Sequence, residues 1–238
     1  MLQENGRVAD TVEQSNLSRL AGATRDDAIQ KALKVDVATR LILQANPEAQ
    51  VEAIADDVAK ASVARKLVAC DYLFLAADSM RSRLIINAIV NQYLIPAVQV
   101  GAKIRPSDNG GLNEIMSANR QVRPGEGCLW CNGYIDTAQL AVEAKSDRER
   151  IEQAYGVQEP NPSVISLNAV AAAHAVNDFL LDYLSLRAEG GAVHQHFHFL
   201  TRRFMSVLPR RDESCSECSR KGNRFGRGDG WELPSLEG

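Results

Sequence analysis

Apolar positions along the chain switch between two periods. Ile29, Leu33, Val37, Leu41 and Ile42 recur at helical spacing, which predicts a helix from about Thr24 to Asn46. Thr24 is suited to cap it, Asp26 and Asp27 to complement the positive end of its dipole, and Asn46-Pro47 to end it. Gln50–Ala55 reads as a short strand and Asp57–Lys66 as a short helix. The continuous apolar run Tyr72–Ala77 (YLFLAA) predicts a strand covered on both faces. A helix follows near Met80–Tyr93, and Pro96 leads into a second buried strand, Ala97–Ala102. Strand–helix–strand alternation with such runs implies right-handed crossovers and a largely parallel sheet with helices packed on it.

After Gly101 the texture changes. Leu112–Val122 reads as extended and leads to Pro124-Gly125. Asp136–Tyr155 is polar and helical, and Pro162–Leu186 holds a long Ala-rich helix expected to pack on the sheet and to end before Gly190-Gly191. Val193–Met205 alternates as a strand does, and the tail from Arg210 is loop-like. This divides the chain into a first part at 1–122, a middle at 123–209 belonging to the same domain, and a tail at 210–238.

Composition narrows the function classes. The chain has 238 residues, 45% hydrophobic and 24% charged, enough for one large domain with an appendage. A net charge of −3 argues against a nucleic-acid partner held by phosphate neutralisation. The longest apolar stretches, such as Leu84–Val90, are too short to span a bilayer. The opening MLQENGRVAD lacks a basic-then-apolar leader, so a cytoplasmic protein is expected.

The sharpest chemical signal is a doubled Cys-x-x-Cys: Cys128 and Cys131 in GCLWC, Cys215 and Cys218 in SCSEC. Four thiolates make a closed tetrahedral set for one structural Zn²⁺, tying the tail back to the middle of the chain. Two disulfides are the alternative, disfavoured for a cytosolic chain. Cys70, beside the YLFLAA strand, reads as a packed thiol. Asp78 ends that strand, where open parallel sheets bind ligands; it suits Mg²⁺ or a phosphate-bearing substrate, or else caps the next helix, as Ser79 does equally well. Near the start stand Asp10, Ser15, Asn16, Arg19 and then Lys34, a set able to hold a triphosphate through the Arg fork and the Lys point charge. Taken alone, Lys34 reads equally as a solvated helix residue. His194, His196 and His198 alternate on one strand face, read as an exposed surface rather than a metal site, and His174 as packed on its helix. The basic pairs Arg202-Arg203 and Arg210-Arg211 read as a solvated face, and the RGD of the tail as a chance match.

DTVEQSNLSR, KVDVATRLILQANP, AADSMRSRLIINAIV, IPAVQVGA and PGEGCLWC occur in this order. Together they resemble the ThiF/MoeB family, the adenylating enzymes related to ubiquitin-activating enzymes, from about Asp10 to Leu186 with the second Cys pair beyond. The resemblance implies a Rossmann-like α/β fold, mostly parallel, with helices on both faces. It implies binding of ATP·Mg²⁺ and of the Gly-Gly tail of a ubiquitin-like or sulfur-carrier protein. The tail carboxylate attacks the α-phosphate, giving an acyl-adenylate and pyrophosphate. By position Asn16 and Arg19 would hold the β- and γ-phosphates, Lys34 would contact the phosphates at the reacting centre, and Asp78 would coordinate Mg²⁺ or position the reacting groups. Arg83 and Asn87 would support the site, and the zinc would be structural.

Such enzymes normally begin with a strand, a GxGxxG loop and a helix, a unit of about 30 residues, followed by a strand ending in a ribose-binding acid. Nine residues precede Asp10 here, and Val8 stands where the acid is expected, so the fold is expected to be N-terminally incomplete, a fragment or a degenerate product. No cysteine lies between Cys131 and Cys215 to carry a thioester, so adenylation alone is expected, as in the MoeB-like branch. The resemblance also implies a homodimer, or pairing with a homologous subunit. A non-catalytic zinc-stapled scaffold that pairs with a complete activating subunit is the alternative reading.

Overall fold

The structure is a computed structural model, described for residues 10–107, 109–144, 164–187 and 191–235. Local chemistry sets its first element. The Thr24 hydroxyl accepts the Asp27 N–H at 3.2 Å, and the Asp27 carboxylate accepts the Thr24 N–H at 2.7 Å. This capping box starts α1 (Arg25–Gln30). The single helix expected to run to Asn46 is broken, because Lys31 takes a left-handed φ of 51° and α2 (Lys34–Ala45) begins anew. The break is stabilised from outside. The Val12 N–H donates to Ala32 O at 2.8 Å, and the Lys34 N–H to Asp10 O at 2.9 Å. Those are groups that a continuous helix would have bonded internally.

The central unit is β1 (Leu73–Leu75), α4 (Met80–Tyr93) and β2 (Ala97–Pro106), the short α3 (Ala61–Leu67) preceding it. β1 and β2 are parallel, with Leu73 opposite Ala97. β3 (Leu112–Val122), β4 (His194–His198) and β5 (Arg203–Val207) follow in the order β1-β2-β3-β4-β5. Every later pairing is antiparallel. The α/β class therefore holds, but the described sheet is mixed rather than largely parallel. The reason is connection length: the short link between Pro106 and Leu112 returns the chain directly beside β2, and only a crossover makes parallel neighbours.

Helices cover both faces, as expected. On one, Ile85, Ile86, Ile89 and Val90 of α4 pack with Leu73, Leu75, Ala97 and Val122. On the other lies α6 (Ile165–Tyr183), against β2 and β3, with Phe179 meeting Phe74 edge-on at 5.6 Å. α5 (Thr137–Glu143) is the described part of the predicted polar helix; the rest of that prediction, and Gly190, lie outside the described residues.

Three local expectations are corrected. Gln50–Ala55 is not a strand; among the described residues β1 pairs only with β2, so this segment has no ladder to join. β1 is buried on one face only, Phe74 being 48% exposed. Val193–Met205 is a hairpin of two strands, turned at Arg202 with a left-handed φ of 53°.

Ile89, with no exposed surface, lies at the centre of the α4 face. Ile89→Ala is expected to lower the unfolding free energy by about 3 kcal/mol in urea denaturation.

Candidate functional site

The four predicted thiols meet. Cys128 Sγ lies 3.6 Å from Cys131 Sγ and 3.9 Å from Cys215 Sγ, and Cys131 Sγ lies 3.5 Å from Cys218 Sγ. A tetrahedron of about 2.3 Å metal–sulfur bonds has edges of about 3.8 Å, so one ion of zinc's size fits these sulfurs. Burial pushes the Cys215 thiol up to about 11, and contact with the Cys218 thiol, then burial, pushes Cys128 higher. A thiolate here is disfavoured unless a cation shares the space. Among the described residues no other group of three or more His, Cys, Asp or Glu has its ligand atoms so close.

Backbone geometry seats the two pairs together. Gly127 has φ +111°, and a Cβ there would come 2.6 Å from Arg210 O. Glycine thus admits the strand of chain leading to the second pair. Asn132 closes the contact, donating to Arg210 O at 3.0 Å and accepting the Arg210 N–H at 2.7 Å.

Helix α4 carries both halves of this clasp. Asn87 Oδ1 accepts the Leu129 N–H at 2.9 Å, holding the first pair. Gln92 donates to Gly228 O at 2.7 Å and accepts from Arg224 at 2.7 Å, and Asn91 O accepts the Gly226 N–H at 2.9 Å, holding the tail. Asp229, the acid of the RGD, accepts the Tyr93 hydroxyl at 2.8 Å. Asn87, Asn91 and Gln92 are buried polar residues on this helix; Asn87 and Gln92 hold the two segments through their side chains, while the Asn91 side chain donates to Asn87 O at 2.8 Å.

At the start of the same helix stands Asp78. It is exposed beyond the C-terminal end of β1, and the capping role falls to Ser79, whose side chain accepts the Ser82 N–H at 3.1 Å. Glu143, not among the residues expected at a site, reaches the same helix end. Its oxygens accept the Met80 and Arg81 N–H groups at 2.9 and 3.0 Å. Nothing in its sequence neighbourhood announces this contact, which crosses between α5 and α4.

The amino-terminal group is partly assembled. Lys34, the first residue of α2, pairs with Asp10 at 2.8 Å. Asn16 is buried and its Oδ1 accepts the Glu13 N–H at 2.9 Å, so part of its capacity is spent on its own turn. Ser15 likewise donates to Glu13 at 3.2 Å. Arg19 is exposed, with no ion pair among the described residues. No hydrogen bond or ion pair among the described residues links this group to Asp78.

Other expectations fare differently. Cys70 is exposed rather than packed, and borders a cavity of about 810 Å³ lined by Tyr72, Phe74, Phe179 and Tyr183. His174 meets Phe204 edge-on at 5.5 Å, as a packed residue does. The three strand histidines share a face but are not exposed: His194 is only 3% accessible and the other two are half-buried. No helix among the described residues is long and apolar enough to cross a membrane.

These features define a Rossmann-like α/β protein whose crossover helix carries an acid at its start and a four-cysteine clasp along its length. The sequence profile of the ThiF family matches residues 9–217, and the chain belongs to that family. No curated protein sequence matches it. Its fold is similar to that of MccB of E. coli in a structure with ATP, at 20% identity and a TM-score of 0.63, covering 89% of this chain and 57% of that one. It is similar also to the microcin C7 biosynthetic enzyme MccB in complex with N-formylated MccA, at 19% identity and 0.65, covering 89% and 58%. PaaA is a further likeness, at 18% identity and 0.57, covering 84% and 62%. The chain thus spans a little over half the length of the MccB structures it matches.

Burial first, then the charges of Arg120 and His196, push His194 down to about 4. Between pH 6.5 and 4 the unfolded chain takes up a proton that the folded chain refuses. Stability is therefore full above pH 6.5 and falls as pH drops through this window, by on the order of 2 kcal/mol. Thermal unfolding across that range should show the slope, and His194→Gln should flatten it.

Proposed function

We propose that this protein adenylates the C-terminal carboxylate of a ubiquitin-like or sulfur-carrier protein, using ATP and Mg²⁺. One observation carries the reading: in a chain of the ThiF family, Asp78 stands exposed at the C-terminal rim of β1, relieved of capping by Ser79. In α/β sheets that rim is where ligands bind. Family membership supports ATP as the nucleotide donor, and MccB structures with ATP and with MccA support a peptide or protein as acceptor.

In this reading Asp78 holds Mg²⁺ through its carboxylate. Arg19, free of ion pairs among the described residues, and Asn16 bind the β- and γ-phosphates. Lys34 neutralises charge at the reacting centre, with Asp10 holding its ammonium in place until the anion arrives. Arg83 and Asn87 keep α4 in register behind Asp78, since Arg83 donates to Tyr134 O at 3.0 Å. A single Zn²⁺ on Cys128, Cys131, Cys215 and Cys218 is structural, because four thiolates leave no open position. The protein is read as cytoplasmic and as pairing with itself or a homologous subunit.

ATP–pyrophosphate exchange tests the activity. A Gly-Gly-terminated carrier protein should stimulate exchange, and Asp78→Ala should reduce it by roughly 100-fold. If neither this chain nor a form extended upstream shows exchange, the reaction is excluded, and a zinc-clasped scaffold pairing with a complete activating subunit is what remains. Metal analysis should give one Zn²⁺ per chain, lost in Cys218→Ser along with much of the thermal stability.

A further inference from the structure

Tyr134 joins three parts of the molecule. Its carbonyl accepts from Arg83 Nη1 at 3.0 Å, and Arg120 Cζ lies 4.2 Å from the centre of its ring. Its hydroxyl lies 3.5 Å from His194 Nδ1. It follows closely on the first Cys pair, so the clasp sets its position.

The sheet register continues the site. Arg120 on β3 lies between Gln99 of β2 and His194 of β4. Its neighbour on the same face, Ala118, lies between Gly101 and His196. Gly101 and Ala118 place no long side chain of their own beside the guanidinium, and Ala118 is buried. A Cβ built on Gly101 would meet only the Gln99 side chain, at 3.4 Å.

Among the described residues no ion pair joins a carboxylate to Arg83 or Arg120. Arg120 Nη1 donates to Gln99 Oε1 at 2.5 Å, a neutral partner, and Arg120 has no ion pair among the described residues. Among the described residues three N atoms here are buried without a partner: Arg120 Nε, Arg83 Nε and His196 Nε2. Two nearby acids are elsewhere engaged. Glu143 holds the start of α4, and Glu114 lies 3.9 Å from His198. The field of Asp78 reaches Arg83, while burial first and then the Arg120 charge depress the basicity of Arg83, His194 and His196 alike. A half-buried guanidinium facing neutral groups is costly unless an anion completes it, and buried donors are rarely left open.

We propose that Arg120, with His196 beside it, forms a subsite that binds a carboxylate of the peptide substrate and so determines which tails are accepted. The subsite rests on the adenylation reading and deepens it. The guanidinium fork takes the two carboxylate oxygens. The carboxylate is either the reacting C-terminal one or an acidic side chain next to it.

Calorimetric titration of the full chain without nucleotide tests this with three probes. N-acetyl-Gly-Gly offers only a terminal carboxylate, N-acetyl-Asp-Gly-amide only a side-chain one, and inorganic pyrophosphate stands for the nucleotide. Binding of the first or second, weakened at least about tenfold in Arg120→Gln, supports the subsite and identifies the carboxylate. Arg105→Gln, on the exposed end of β2, should leave binding unchanged. If Arg120→Gln does not fold, Arg120→Lys keeps the charge but loses the fork, and an equal weakening there supports the subsite in the same way. Arg120-dependent binding of pyrophosphate alone, or carboxylate binding indifferent to Arg120, overturns the proposal. Because no step uses ATP, loss of exchange in Asp78→Ala and loss of carboxylate binding in Arg120→Gln are separate results.

Discussion

Four sulfur atoms within 4.8 Å of one another govern how this molecule holds together. Thiolates so placed repel one another, and burial penalises each further. The arrangement makes physical sense as the coordination sphere of one soft cation. It closes a long loop between residue 128 and residue 218, and so removes much of the freedom the unfolded chain would have there. Among its described residues the tail has no regular structure beyond one short turn, and hydrogen bonds to α4 do what a sheet would otherwise do for it.

Helix α4 is the common reference for all of this. One side of it is aliphatic and buries the sheet. Another is amide-rich and receives the first cysteine pair through Asn87 and the tail through Gln92. Its first turn follows Asp78 and is held by Glu143. A rigid helix thus relates the clasp, the strand rim and the Tyr134–Arg120 cluster to one another. Distortion at the clasp has a short path to the candidate site, through Asn87 and through Tyr134.

Some features are legible in the chain because they depend on neighbours in sequence. The Met80–Tyr93 helix is bounded correctly from its apolar run and flanking residues, as is the extended segment Leu112–Val122. The doubled Cys motif announces one shared site, because a spacing of three residues is set by the turn that the ligands need. Others are illegible for physical reasons. The break at Lys31 comes from Asp10 and Val12 taking up backbone groups from outside the helix. Cys70 looks packed because its neighbours are apolar, yet it lies past the end of α3, where the chain turns outward.

The class of fold and the meeting of the four cysteines can both be read from the order of residues. Each rests on local periodicity or on residue spacing, which short-range sterics and coordination geometry translate directly into structure. The strand directions after β2, the engagement of Glu143 with α4, and the assembly of Arg83, Arg120, Tyr134 and His194 around one point cannot be read that way. Those depend on which distant segments come to share a face. Burial of the whole sheet settles that, and no single stretch of chain carries the information.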